Sequence, residues 1–481
     1  MIRPEFIKSS FLFTLGGALP MMGSIVLLPF YTNYLSTTHY TQLLFYISIS
    51  LFCQLFFSWS TETAFGIEYS RIQNDAQASP KFIGQVAVFM ISMAVLWLTI
   101  FNVFGNYLFK LLFDIKLDMH YWPWGFYAVV TALCNAFFKT ATTLLIYKNK
   151  SKVFFSLQAL NFVITLSIAL IGIFMFPDRL EGPLYARLIS GLVLLGIALV
   201  IFKSNGTFGW DFKAWYSFFK LCGPLVGIVM SSWILGQVDR FFLQHHVTLS
   251  ELNAYDLILK CFFGIEFIQN SLTAIIYPRV FKLWNTKNTN ATDAESNRYF
   301  NVFTALNVLL IISFNLALPL LITWVVKDPL FYRGFNYLGL LSSVFVIRSV
   351  MYYFQAGLLY SKASFNLLVY HFSGLFMELV LVVLLVPRLG IMGAIGTSIS
   401  VRVLQTLILF LIPNSQFRFT FNWFKILGLP GLFLIVNGIG VYLFPVYHAA
   451  VYVFQFLFFA LLIYTIYRRE ITALRQSLVK L

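Results

Sequence analysis

Five basic residues interrupt long apolar segments of the chain, where a charge needs a partner or a ligand. A lysine or arginine at the centre of a membrane helix costs about 2.5–3.5 kcal/mol on insertion scales, so such residues normally face a cavity, an ion pair or a substrate path. The five are Lys139, Arg187, Lys260, Arg348 and Arg402. Their number favours an anionic ligand, and we take them as candidate substrate-binding residues.

Three acidic residues lie at comparable positions in the apolar segments, namely Asp256, Glu266 and Glu378. Asp256 and Lys260 are separated by four residues, so they can pair on one helix. Arg348 and Arg402 lie near the middle of their apolar segments, and Glu378 can pair with one of them. Five cations against three acids predict a net positive interior. Each acid is therefore a candidate for charge balance or for carrying a coupling proton or ion.

Two of the cations have another explanation. Arg187 lies a few residues from the end of its apolar segment, and Lys139 lies towards one end of its own. Long basic side chains near helix ends can extend to the membrane interface, so snorkelling is an alternative to substrate contact.

No catalytic constellation is visible. The chain has no phosphate-binding GxxxxGK[ST] motif, and Cys53, Cys134, Cys222 and Cys261 show no metal-ligand or disulfide spacing. His245 and His246 beside Glu251 form a weak metal pattern at best. These features favour a protein that is not an enzyme and that needs no cofactor or metal ion.

The composition places these charges in an all-α membrane protein. Hydrophobic residues make up 59% of the chain and charged residues 11%, whereas soluble domains contain about 25% charged residues. A membrane span needs about 20 mainly apolar residues. We predict fourteen, near 9–30, 40–61, 82–104, 121–146, 153–176, 183–203, 215–236, 253–276, 300–325, 335–357, 363–386, 391–412, 424–444 and 447–467.

The basic residues between these spans predict the orientation. The net charge is +15, but the cations lie mostly in short loops, so topology explains them better than nucleic-acid binding. With the N-terminus inside, inner segments carry roughly three times as many lysines and arginines as outer loops. Both termini are therefore expected in the cytoplasm, with Asp239 and Arg240 at the outer rim.

An internal repeat is suggested by two matching segments. Ser151-Lys152 opens the fifth span and Ser361-Lys362 opens the eleventh; each lysine lies 25 residues before a proline, Pro177 or Pro387. An even number of helices in each copy predicts two pseudo-symmetric six-helix lobes of like orientation, an architecture suited to transport by alternating access. We predict lobes at 1–210 and 211–415, followed by two further spans and a cytoplasmic tail at 416–481.

Prolines occur in the first helix of each predicted repeat. Pro20 and Pro29 interrupt the first span, and Pro224 interrupts the seventh. Proline removes a backbone hydrogen bond and bends a helix. These residues are expected to be helix bends, although a proline near a span end can also be merely tolerated.

Four segments resemble one protein family. Residues 28–36 (LPFYTNYLS), 238–243 (VDRFFL), 277–279 (YPR) and 385–400 (LVPRLGIMGAIGTSIS) are similar to segments that end or follow helices 1, 7 and 8 and open helix 12 of polysaccharide exporters. The chain thus resembles the polysaccharide transporter (Wzx-type O-antigen/oligosaccharide flippase) family of the multidrug/oligosaccharidyl-lipid/polysaccharide flippase superfamily. It departs at Tyr40-Thr41-Gln42, where that family usually has a Tyr-Gly pair.

The resemblance implies a V-shaped bundle in the bacterial cytoplasmic membrane and a polyprenyl-pyrophosphate oligosaccharide as cargo, moved to the outer leaflet for lipopolysaccharide or other polysaccharide biosynthesis. It also implies Asp239 and Arg240 as family motif residues. Expected partners are membrane lipid, a coupling proton or sodium ion, and the polymerase and glycosyltransferases of the pathway, with no nucleic acid. A peptidoglycan-precursor flippase and a multidrug/cation antiporter of the same superfamily remain alternatives.

Overall fold

The computed structural model is all-helical. It describes residues 4–72, 75–176, 179–284, 289–361, 364–411, 422–444, 446 and 448–479, and these contain no β-strand. The α-helices are α1 (Pro4–Tyr34), α2 (Thr37–Ser58), α3 (Thr61–Ile72), α4 (Ala78–Leu112), α5 (Phe126–Tyr147), α6 (Ser151–Met175), α7 (Glu181–Asn205), α8 (Phe212–Leu243), α9 (Leu249–Trp284), α10 (Thr289–Val325), α11 (Leu338–Tyr360), α12 (Ser364–Leu389), α13 (Ile391–Leu411), α14 (Leu429–Leu443) and α15 (Ala449–Val479).

The prediction of fourteen membrane spans is confirmed. Within the described ranges, 14 helices are long and apolar enough to cross a bilayer. Large apolar side chains also point outwards along them; Trp324 is 85% exposed and Tyr442 is 86% exposed. A soluble protein would not expose so many, because contiguous apolar surface promotes association in water. Lipid is therefore the solvent of this surface.

Helix α3 is an α-helix in addition to the fourteen membrane spans, and it was not predicted. Trp59 and Ser60 adopt positive φ angles of 45° and 54°, a conformation that ends a right-handed helix. The chain thus leaves α2 and begins a new helix at Thr61, which packs on α4 and α5. The sequence prediction merged this break into the end of the second span because no glycine or proline marks it.

Several helices extend beyond the predicted spans. Helix α9 continues through Pro278 to Trp284, so the expectation that Pro278 ends the eighth span is wrong. Pro20 and Pro29 lie inside α1, and Pro224 lies inside α8. Their role as bends stays a prediction.

The chain divides into two compact units, which we call unit 1 (Met1–Gln237) and unit 2 (Val238–Leu481). The division falls inside α8. The predicted lobe boundaries at 210/211 and 415/416 stay predictions, and the second lies outside the described residues.

Helix neighbours inside the two units agree with the predicted repeat. In unit 1, α6 packs on α7, α5 on α7, and α2 on α5. In unit 2, the corresponding helices make the same pairs: α12 with α13, α11 with α13, and α9 with α11. This recurrence supports the duplication that the spacing of the two sequence segments suggests.

Close helix packing in unit 1 depends on small residues. A Cβ atom placed on Gly172 of α6 would lie 2.2 Å from the Cα atom of Gly182 in α7. Small residues let helix backbones approach closely in membranes, where association relies on van der Waals contact. This contact fixes the α6–α7 pair, on which Arg187 is carried.

Candidate functional site: buried charges of unit 2

The first group of charges joins the end of α8 to the start of α9. Arg240 Nε lies 2.9 Å from Asp256 Oδ1, and Lys260 Nζ lies 2.6 Å from Asp256 Oδ2. The Tyr255 hydroxyl donates to Asp239 Oδ2 at 2.5 Å. Asp256 is fully buried and Arg240 is 2% exposed. The local pair that the Asp256–Lys260 spacing permits is therefore present, within a larger network.

This network corrects one expectation. Asp239 and Arg240 were expected in an outer loop at the rim. Instead α8 continues to Leu243, so both residues are helical and buried. Burial is tolerated because Asp256 neutralises Arg240 and Tyr255 hydrogen-bonds Asp239, as buried charges require.

The second group surrounds Arg348 of α11. Arg348 Nη2 lies 2.7 Å from Glu266 Oε1 of α9. Arg348 Nε donates to the Tyr352 hydroxyl at 2.9 Å, and that hydroxyl donates to Asn270 Oδ1 at 2.5 Å. Arg348 therefore has an acidic partner, and it is Glu266 rather than Glu378. The i,i+4 spacings of Glu266 with Asn270 and of Arg348 with Tyr352 place each pair on one helix face.

The third group centres on Arg402 of α13, which is half-buried. Its Nη1 donates to Gln405 Oε1 at 3.0 Å. Within the described ranges, no acidic side chain lies within 4.0 Å of its guanidinium. Arg402 thus keeps its positive charge without an ion-pair partner.

Glu378 of α12 is 2% exposed. The charges that act on it are those of Asp239 and Arg402, but no basic group of the described chain lies within ion-pair distance of it. The expectation that Glu378 pairs with Arg348 or Arg402 is therefore wrong. In the described part of unit 2, Asp256 and Glu266 form ion pairs and Asp239 accepts from Tyr255, whereas Glu378 has no such contact.

Counting these side chains shows where the expected excess of positive charge lies. When all are ionised, the deep charges of unit 2 are equal in number, and Asp239 and Arg240 add one charge of each sign to them. The cations are Arg240, Lys260, Arg348 and Arg402, and the acids are Asp239, Asp256, Glu266 and Glu378. The expected excess of cations over acids therefore comes from Lys139 and Arg187 of unit 1. Within the described part of unit 2, Arg402 is thus the deep cation without an ion pair, and the unit has no overall excess of positive charge.

The two remaining candidates lie in unit 1. Lys139 Nζ of α5 is 2.7 Å from Glu62 Oε1 of α3, and the Lys139 side chain is 52% exposed. Arg187 of α7 has no acidic partner in the described chain, and its Nε is buried without a hydrogen-bond partner there. Of the five predicted cations, three are therefore paired with acids, and Arg402 and Arg187 are not.

Sequence reasoning missed the neutral residues of these groups. Gln405 is fully buried, and a Cβ atom on Gly374 would lie 2.1 Å from its Nε2, so Gly374 makes room for it. Tyr352 is acted on by the charges of both Arg348 and Arg402. The available signal was the i,i+3 and i,i+4 spacing of polar residues around each buried arginine.

Comparison with known proteins places this arrangement on a known fold. No family model and no curated protein matches the sequence. Among solved structures, the lipid II flippase MurJ in an inward closed conformation has a TM-score of 0.69 at 13% identity, covering 98% of this chain and 100% of that chain. The eukaryotic MATE transporter AtDTX14 has a TM-score of 0.57 at 14% identity, covering 90% and 100%.

The Vibrio cholerae MATE transporter VcmN in the bent form has a TM-score of 0.51 at 16% identity, covering 89% of this chain and 98% of that chain. Further MATE structures of similar score are described as members of the MOP superfamily. At these identities the likeness concerns the fold and not the substrate. The chain therefore has the multi-pass helical fold shared by the lipid II flippase MurJ and the MATE transporters of the MOP superfamily.

Proposed function

We propose that this protein is a flippase that moves a polyprenyl-pyrophosphate oligosaccharide from the cytoplasmic to the outer leaflet by alternating access. The observation that carries the proposal is Arg402, a half-buried arginine in the middle of an apolar helix with no acidic partner in the described chain. An uncompensated cation at such a position is costly unless it serves a ligand. A diphosphate is the anionic part of the proposed cargo.

The surroundings of Arg402 suit that role. Gln405 accepts a hydrogen bond from the Arg402 guanidinium. The charges of Arg402 and Arg348 both act on Tyr352, whose hydroxyl accepts from Arg348 Nε. Arginine binds phosphate oxygens through two parallel N–H donors, which gives geometric selectivity as well as charge. We therefore assign Arg402 as the first contact of the diphosphate and Arg348 as a second contact that Glu266 restrains. Lys260, already paired with Asp256, and Lys139, paired with Glu62, are assigned weaker roles.

The cellular setting follows from the same proposal. The cargo is made in the cytoplasm and used outside, so the protein lies in a bacterial cytoplasmic membrane with both termini inside, beside the glycosyltransferases and polymerase of a polysaccharide pathway. A flippase for a peptidoglycan precursor would use the same diphosphate chemistry, and the fold likeness to MurJ agrees with it equally.

A multidrug/cation antiporter is the second candidate, because Glu378 is a buried acid without an ion pair in the described chain. Such a carboxylate binds an organic cation or a coupling ion. Under the flippase proposal Glu378 binds the coupling proton or sodium ion, while Asp256 and Glu266 balance charge.

The test is translocation in proteoliposomes. Wild type, Arg402→Gln and Arg348→Gln are compared with Arg388→Gln, an exposed arginine at the end of α12. We expect wild type and Arg388→Gln to move a polyprenyl-pyrophosphate oligosaccharide, Arg402→Gln to lose at least about tenfold in rate, and Arg348→Gln to lose less. Transport of organic cations without the lipid, or equal lipid flipping by all four proteins, contradicts the proposal.

A further inference from the structure

Arg187 in unit 1 has a buried donor that no acceptor of the described residues satisfies. Its Nε is buried and has no hydrogen-bond partner in the described chain, and no carboxylate there lies within 4.0 Å of its guanidinium. Unmet buried donors are rare in proteins, and each calls for an explanation such as an absent ligand.

The hydroxyl of Tyr31 is a second hydrogen-bond donor, and the charge of Arg187 acts on it. Tyr31 of α1 is 6% exposed. That hydroxyl has no hydrogen-bond partner among the residues the structure describes. Arg187 and Tyr31 are thus a cation and a neutral donor within electrostatic range of each other, and neither Arg187 Nε nor the Tyr31 hydroxyl has an acceptor among the described residues.

Two neutral hydroxyl groups on α6 and α7 are paired with each other next to the Arg187 backbone. The Thr165 hydroxyl of α6 donates to Ser190 Oγ at 3.0 Å, and the Ser190 hydroxyl donates to the Arg187 carbonyl at 3.2 Å. They fix α6 against α7 and add no negative charge. These bonds involve the Arg187 backbone carbonyl and supply no acceptor to its guanidinium.

Both donors lie on the side of unit 1 where α1 ends and α7 begins, since Arg179, just before α7, contacts the Tyr34 carbonyl. Tyr31 is three residues from the end of α1 at Tyr34, about 4.5 Å along the axis, and Arg187 is six residues from the start of α7 at Glu181, about 9 Å. Side chains this close to the ends of membrane-spanning helices are within reach of the bilayer interface, where lipid phosphate groups lie.

Arg179 at the same end shows the contrasting case. Its Nη1 donates to the backbone carbonyl of Tyr34 at 2.9 Å, and its guanidinium lies over the Tyr34 ring. Arg179 thus donates to the last residue of α1 and, unlike Arg187 Nε, has an acceptor among the described residues. It provides a control arginine on the same side of unit 1.

We propose that Arg187 and Tyr31 form a binding site in unit 1 for the phosphate group of a lipid headgroup, separate from Arg402. Two parallel N–H donors of the guanidinium bind phosphate oxygens, and the tyrosine hydroxyl donates to a third. The phosphate belongs either to the lipid-linked cargo or to an anionic phospholipid of the bilayer. Only the first case rests on the proposed function.

The test measures binding to the purified full-length chain in a mild detergent, as thermal stabilisation by farnesyl pyrophosphate and, separately, by phosphatidylglycerol. Every variant is also made in the Arg402→Gln background, so that binding in unit 2 does not contribute. We expect Arg187→Gln to weaken binding of one probe by about tenfold and Tyr31→Phe to weaken it by about threefold. Arg179→Gln should bind as the parent does.

The probe that responds identifies the source of the phosphate. A loss for farnesyl pyrophosphate assigns the site to the cargo, and a loss for phosphatidylglycerol assigns it to bilayer lipid. Unchanged binding of both probes by Arg187→Gln and Tyr31→Phe overturns the proposal. Because this assay measures binding without translocation, its failure is distinct from a failure of Arg402→Gln to impair flipping.

Discussion

Arg402 Nη1 donates to the Oε1 atom of Gln405 at 3.0 Å, and Gln405 is fully buried. The neutral amide orients the guanidinium without cancelling its charge, whereas Glu266 pairs with Arg348. Two arginines of one unit are thus held in different ways, and this difference underlies the assignment of Arg402 as the principal anion contact.

Gly374 controls the position of Gln405. A Cβ atom at this residue would lie 2.1 Å from Gln405 Nε2, so Gly374→Ala forces the amide to move. We expect weaker diphosphate binding by a few-fold to about tenfold, as for the loss of one hydrogen bond to a charged group, and only a small change in thermal stability, because the displaced atom ends a flexible side chain. Farnesyl pyrophosphate titration measures the effect.

Gly396→Ala is the matched control for that substitution. Gly396 lies in the same helix as Arg402, and its added Cβ atom would meet nothing within 4 Å. Equal loss of binding in the two variants would show that Gly374 acts through helix propensity and not through Gln405.

Removing the acid beside Arg348 should strengthen anion binding. In Glu266→Gln the Arg348 guanidinium loses its 2.7 Å ion pair and is free to serve a ligand. We expect affinity for farnesyl pyrophosphate to rise several-fold, on the order of 1 kcal/mol, and to fall again in the Glu266→Gln/Arg348→Gln double variant. An affinity that falls in the single variant would mean that Glu266 positions Arg348 for binding.

The buried network of α8 and α9 should matter for stability. Asp256→Asn removes the carboxylate charge that lies 2.9 Å from Arg240 Nε, and Arg240 is 2% exposed. Breaking a buried pair in this way costs about 3–5 kcal/mol, so the thermal unfolding temperature in detergent should fall markedly. Asp118→Asn is the comparison, because the Asp118–His120 pair is exposed and such pairs contribute about 0–1 kcal/mol. Similar unfolding temperatures for the two variants would contradict this account.

Glu378 is expected to bind the coupling ion. It is 2% exposed and has no ion pair in the described chain, so a proton or a sodium ion is needed to offset its charge in an apolar setting. In Glu378→Gln, lipid flipping should no longer respond to an imposed proton or sodium gradient. The exposed Glu295→Gln should respond as wild type does. A Glu378→Gln protein that still follows the gradient would limit Glu378 to charge balance.

Much of the architecture was predictable because a helix that crosses a bilayer must be apolar over most of its length. Runs of about 20 apolar residues mark spans directly, and the predicted fourteen are confirmed. Helix α3 was not predicted, because it begins after Trp59 and Ser60, whose left-handed backbone conformation leaves no mark in the hydropathy. The extension of α8 past Arg240 was not predicted either, because the burial of Asp239 depends on contacts with other residues.

The sequence by itself determined which side chains are charged in the apolar segments and which of them share a helix, as Asp256 and Lys260 do. Only the tertiary structure decided that Glu266 pairs with Arg348, that Glu378 pairs with neither arginine, and that Arg402 and Arg187 lack acidic partners in the described chain. The physical reason is range: helical periodicity places neighbours within one helix, whereas partners on other helices are chosen by packing between segments far apart in the chain.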